Sequence, residues 1–201
     1  MMRYWLASIL GLCLLTVACQ GEDGEPANGG AVTPLPTSLA LPTAAGTPII
    51  TDSQFDFPDK GYSVRIPDGW SPRPNLVGTA ALTVDGFFSP SEEAGIQPNI
   101  SVVCEAILEG TTLEAYFESK RDLVKRVTGA EPEVIRTEVS GQQAFAMEYT
   151  PTKREPLADR RDVVFVNERC GWTISLVVPQ GQRSTYEATL NEFIASFRLL
   201  P

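Results

Sequence analysis

The side chains able to do chemistry are few in this chain, and their spacing organises little of it. There is no histidine. That removes the usual base for an activated Ser or Cys, the usual proton shuttle and the commonest metal ligand. Neither a Gly-x-Ser-x-Gly elbow nor a phosphate-cradling Gly-rich loop occurs. Ser119-Lys120 offers a Ser-Lys pair, but a Ser beside a Lys on a helix surface is expected by chance. Adjacent carboxylates stand at Glu22-Asp23 and Glu92-Glu93, in segments not rigid enough to aim them. Asp52, Asp56 and Asp59 could offer oxygens to Ca²⁺. They lack the alternate spacing and terminal Glu of an EF-hand loop, so they read as a solvated acidic entry to the domain. With no His, Cys104 and Cys170 cannot complete a tetrahedral zinc site, and no metal or cofactor is expected. The two lie 66 residues apart and are either a disulfide or two separate buried thiols. A bond closing that loop is worth about 4 kcal/mol in the chain-entropy account.

The basic run Lys153, Arg154, Arg160 and Arg161, set against Glu155 and Asp159, stands out in a chain of net charge −9. As a positive finger on a negative body it is the candidate partner-binding surface, orienting a docking partner by charge. The plainer reading is a solvated loop whose charges cancel locally. The net negative charge disfavours nucleic acid and anionic lipid headgroups as partners.

The N-terminus gives the address. Arg3 precedes an apolar run from Tyr4 to Ala18, the layout of a secretory signal and too short, at about 15 residues, to cross a bilayer comfortably. Leu12–Cys19 closes on Ala18 and Cys19 and resembles the lipobox of bacterial lipoproteins, whose Cys is lipidated and becomes the new N-terminus. Thr16 stands where that motif usually has Leu. The alternative is an ordinary signal peptide or a short uncleaved anchor. From this follow a signal over 1–18, a lipidated Cys19 heading a disordered Pro/Gly/Thr-rich tether to residue 51, and a domain over 52–201. Pro26, Pro34, Pro36, Pro42 and Pro48 punctuate the tether, which shows no periodicity. A flexible segment of that length spans about 30 Å.

The domain must then position what surface it has. At 43% apolar and 20% charged residues the chain can build a core. Tyr62, Val64 and Ile66 alternate with Ser63 and Arg65 as a half-buried strand, ended by Pro67-Asp68-Gly69. A second strand runs near Ala81–Phe88. Ile100, Val102 and Cys104 face one way and Val103 and Ile107 the other, so this strand belongs inside a sheet. Thr111 through Glu114 reads as a capping box, with Thr111 as the cap. It opens a helix with the stripe Leu113, Tyr116, Phe117, Leu123, Val124 and Val127, ended at Gly129. Strands follow at Glu133–Val139, Gln143–Tyr149, Asp162–Asn167 and Trp172–Val178, paired as hairpins through Ser140-Gly141 and Cys170-Gly171. Ser184 and Glu187 suggest a second capping box, and Tyr186, Leu190, Phe193, Ile194 and Phe197 one apolar face of a closing helix, after which the chain stops.

Gly61 through Trp70, the helix opening Leu113-Glu114-Ala115-Tyr116-Phe117, the hairpin residues Gly141 through Phe145 and the closing helix together resemble the PsbP-like family, from about Phe55 to Leu200. The resemblance implies an α+β fold: an α/β/α sandwich on an antiparallel sheet of six or seven strands. It also implies a role in docking to other proteins, as in the family's photosynthetic member and its bacterial lipoproteins of the DcrB and LpqN kinds, and it supplies no catalytic motif. The expectation is a non-enzymatic module on the extracytoplasmic face of a cell membrane, held there by its lipid and bound to an envelope protein. An envelope hydrolase or transferase using carboxylates or Ser-Lys, or a carrier of a small apolar ligand, is the alternative.

Overall fold

The computed structural model describes residues 49–51, 54–153 and 156–201. The signal, Cys19, Glu22-Asp23, the tether as far as residue 48, Asp52, Arg154 and Glu155 lie outside the described residues.

Two antiparallel sheets form. The smaller joins β1 (Ile49–Thr51), β2 (Gln54–Phe57), β3 (Tyr62–Arg65) and β11 (Arg198–Leu199) in that order. The larger has seven strands: β4 (Ser71–Gly78), β5 (Leu82–Phe88), β6 (Asn99–Glu105), β7 (Glu133–Val139), β8 (Gln142–Tyr149), β9 (Ala158–Val166) and β10 (Gly171–Pro179). Their spatial order is β4-β5-β6-β10-β9-β8-β7. Among the described residues the sheets are joined by two α-helices, α1 (Leu113–Thr128) and α2 (Arg183–Ser196), and by a 3-10 turn at Pro58–Lys60.

Alternation along the central strands explains the layers. Trp172, Ile174, Leu176 and Val178 of β10 join Val163 and Phe165 of β9 in one core, closed by Tyr62 and Val64 of the small sheet, by Leu190 and Phe193 of α2 and by Phe197 at that helix's C-cap. On the opposite face Val164, Phe145, Met147 and Tyr149 meet Tyr116, Phe117 and Val124 of α1. The sheet is therefore covered by α1 on one side, and by α2 together with the small sheet on the other. Strand β6 lies between β5 and β10, as its two apolar faces require. A disulfide joins Cys104 on β6 to Cys170 at the head of β10, with Cα atoms 5.4 Å apart. The turn between β7 and β8 has Ser140 at φ 51° and Gly141 at φ 77°, the paired positive values of a two-residue hairpin turn that matches strand twist.

One strand goes unannounced in the sequence, and four expectations need correction. Strand β4 has no apolar alternation to announce it, because Pro72 and Pro74 confine it to an exposed edge. The cap of α1 is Thr112, accepting from the Ala115 amide at 3.2 Å; the Thr111 hydroxyl instead donates to the Leu108 carbonyl at 2.6 Å. Ser184 does not cap α2: the helix starts at Arg183 after Gln182, with no side-chain cap, and Thr185 donates to the Gln182 amide oxygen. The chain does not stop after α2, for β11 continues it onto β3. Strand β9 begins at Ala158 rather than Asp162, since its ladder with β10 runs on as far as the Ala158–Pro179 pair.

Candidate functional site

The early start of β9 dismantles the basic finger. Arg160 and Arg161 are successive strand residues and so point to opposite faces. Arg161, its side chain 13% exposed, lies 3.5 Å from both Glu148 and Glu187, and Arg183 shares Glu148 at 3.3 Å. Arg160 is half-buried on the α1 face and hydrogen-bonds Tyr149. Lys153 lies elsewhere, its Nζ donating to the Arg126 carbonyl near the end of α1 at 3.4 Å. The three described members of the candidate set thus occupy three different surroundings, and at Arg161 the charges are balanced locally.

The other candidates are equally engaged. Lys120 is paired with Glu105 at 2.6 Å and lies over the Tyr116 ring. Glu93 accepts from the Tyr186 hydroxyl at 3.0 Å; partial burial, then that bond and charge, raise the tyrosine above its ordinary value. Asp56 sits in β2 opposite Ser63. Among the described residues no three His, Cys, Asp or Glu side chains gather as metal ligands.

Sequence reading missed the buried carboxylates. Asp85 of β5, 1% exposed, accepts from the Lys60 ammonium, from the Tyr62 hydroxyl at 2.7 Å and from the Asn75 amide at 2.8 Å. Asp162 of β9, 3% exposed, accepts from the Tyr149 hydroxyl at 2.7 Å and from Ser175 at 2.5 Å. Asp159 accepts from Thr150 at 2.6 Å and from the Gly181 amide at 2.8 Å. Burial, reinforced by the adjacent carboxylates, holds Tyr62, Tyr149 and Tyr116 well above the usual tyrosine value. Each carboxylate is enclosed by its own donors and ties neighbouring elements together. Their donors lie up to 25 residues away in sequence, so no local motif marks them.

Among the described residues, both faces of the large sheet are covered, and its edge strands are β4 and β7. Its two edges differ. At β4 the row of free backbone groups is broken by Pro72 and Pro74, and the register shifts between Arg73 and Val77, where Asn75 takes φ 58°. At β7 there is no proline and no shift; all seven residues pair regularly with β8 on one side. Val134 and Ile135 on that edge are 41% and 39% exposed. Beside β7 a groove of about 590 Å³ runs toward the end of α2, lined by Thr137, Glu138, Ser140, Arg161, Asn191 and Arg198 among others. Arg198 donates to the Ala195 and Phe197 carbonyls at 2.6 and 2.8 Å, closing the end of α2, and Ser140 accepts from the Leu199 amide at 3.3 Å. Edge and groove can hydrogen-bond an extended chain and receive its polar side chains. Sequence reading located Glu133–Val139 as a strand but not as an edge. The one local hint was a Glu, Arg or Glu on either side of the two aliphatic residues.

No protein-family model matches the chain, and no curated protein does. Solved structures do. Cyanobacterial PsbP from Synechocystis sp. PCC 6803 is similar at 17% identity over 79% of this chain and 99% of that one, with a TM-score of 0.52. Protein PA94 of Pseudomonas aeruginosa, of unknown function and described as a putative regulator, is similar at 13% identity over 69% of this chain and 90% of that one, also at 0.52. LpqN, involved in cell envelope biogenesis of Mycobacterium tuberculosis, is similar at 15% identity over 77% of this chain and 90% of that one, at 0.49. At such identities the likeness is one of fold.

Proposed function

We propose that this chain, which has the PsbP-like fold, is a non-enzymatic docking module anchored outside the cell membrane through Cys19, and that it presents β7 and the adjoining groove to its partner. The observation that carries the reading is the contrast between the sheet's edges: β4 is broken by prolines and a register shift, whereas β7 is regular, proline-free and carries two exposed aliphatic residues. An exposed flat edge of that kind is a hazard unless something is meant to pair with it. The enclosure of Asp85, Asp159 and Asp162 and the pairing of Lys120 with Glu105 support contact rather than catalysis. Membrane attachment is assigned to the lipid; among the described residues no helix is long and apolar enough to cross a membrane.

A photo-crosslinking residue placed at Ile135, and separately at Arg73, in the full chain in intact cells tests the surface. Adducts concentrated at Ile135 are expected; equal yields at the two positions would remove β7 from its role. For the anchor, labelling with a palmitate analogue should be lost in Cys19→Ser, and equal labelling and membrane retention would sink the lipid assignment.

A further inference from the structure

Resting on that reading of β7 as the docking edge, we infer that its occupant is a second copy of this chain, paired antiparallel through β7 about a twofold axis centred on Thr137, so that two seven-stranded sheets become one. The two-residue turn makes Val139 and Gln142 the closing, hydrogen-bonded pair of the hairpin. Alternation then turns the N–H and C=O of Glu138, Arg136 and Val134 away from β8, toward any incoming strand.

A twofold normal to the sheet keeps like faces together, so residues opposed across the new seam share a side of the sheet. Ile135, Thr137 and Val139 lie on the α2 face, where Val139 joins the main core. Val134, Arg136 and Glu138 lie on the α1 face, where Arg136 sits 5.5 Å over the Phe145 ring. Three registers bring two or more pairs of these residues into hydrogen-bonded opposition. Centring on Arg136 sets its guanidinium against the second copy's own and is repulsive. Centring on Ile135 sets Val134 against the second copy's Arg136 and leaves every charge unpaired. Centring on Thr137 sets Arg136 against the second copy's Glu138 and, by symmetry, Glu138 against its Arg136, while Ile135 meets Val139. The strand thus carries its own complement, two residues apart on one face.

The surroundings leave room for it. Helix α1 packs mainly on β8 and β9, and α2 on β3 and β10. Over β7 itself the α2 side is the open groove.

The test is a cysteine at the symmetry centre. Thr137 would face its own equivalent in a non-hydrogen-bonded pair, with Cα atoms about 4.5 Å apart, within the reach of a disulfide. The full chain carrying Thr137→Cys, oxidised with copper phenanthroline in intact cells, should give a homodimer band on a non-reducing gel at least tenfold above the wild-type background. Adding Arg136→Glu, which sets Glu against Glu twice, should cut that band at least fivefold. Adding Arg136→Glu and Glu138→Arg together should restore it, which also shows that the variants fold. A band no stronger than background, or one indifferent to Arg136→Glu, overturns the self-pairing. An adduct of another mass also overturns it while leaving β7 a docking edge, and the photo-crosslinks at Ile135 judge that separate reading on their own.

Discussion

The two ends of the large sheet are built on different principles. At the β4–β5 end a buried carboxylate, Asp85, gathers an ammonium, a hydroxyl and a backbone amide from three separate segments, and the outermost strand is broken by Pro72, Pro74 and the irregularity at Asn75. At the β7–β8 end a two-residue turn and a regular ladder lead to a strand with nothing beyond it in the described residues. The first end is fastened internally and closed to pairing. The second is held by its hairpin, by Val139 in the core and by the Leu199–Ser140 bond, and its outer edge is left open, which is where an interaction can be added without disturbing the core.

Variants at the two ends should therefore fail in different ways. The largest effect is expected from Asp85→Ala, which strands the Lys60 ammonium and two further donors: a loss of about 3–5 kcal/mol in urea unfolding. Unchanged stability would mean that the fastened end is not fastened by this group. Next comes alkaline pH, which acts on both halves. Tyr62 at the closed end, and Tyr116 and Tyr149 in the other half, have folded-state values raised above the unfolded one of about 10. The unfolded chain gives up these protons first, so stability is intact below pH about 10 and falls above it, by roughly 1.4 kcal/mol per pH unit for each tyrosine. Tyr62→Phe and Tyr149→Phe should each flatten that slope; an unaltered slope in either would show its tyrosine titrating normally.

Smaller effects on stability should accompany larger ones on association. Glu138→Pro deletes an N–H directed away from β8, and is expected to cost roughly 1 kcal/mol while abolishing pairing at β7. The reciprocal change, Pro72→Thr with Pro74→Thr, should leave stability within a similar margin but add self-association, visible by sedimentation, at an edge that was closed. If β4 stays inert, its prolines are not what closes it. Smallest of all, Ile135→Lys should move stability by no more than about 0.5 kcal/mol and still suppress docking at β7.

Much of the frame could be read from residue order. The two-sided apolar pattern of Ile100 through Cys104 gave an interior strand, the stripe from Leu113 to Val127 gave α1, and Ser140-Gly141 gave the β7–β8 turn. These signals are local, which is why they survive without a structure. Where two neighbours could serve, the choice depended on what else was near: Thr111 lost the cap to Thr112 because the Leu108 carbonyl takes its hydroxyl. The basic run was misplaced because strand β9 is extended by its ladder with β10, the other strand of its own hairpin, as far as the Ala158–Pro179 pair. Edges are the least legible feature. A strand is an edge only by virtue of what fails to pair with it, and in Glu133–Val139 the charges flanking Val134 and Ile135 are the one hint of this.

In its native membrane β7 should be occupied while β4 is not. Amide hydrogen exchange on the full chain, in its native membrane and again after dilution into detergent, reads both edges at once. The amides of Val134, Arg136 and Glu138 should exchange slowly in the membrane and at least tenfold faster after dilution, with those of Ser71–Gly78 the same in both. Fast exchange along β7 in the membrane, or protection appearing at β4 instead, would contradict the central claim.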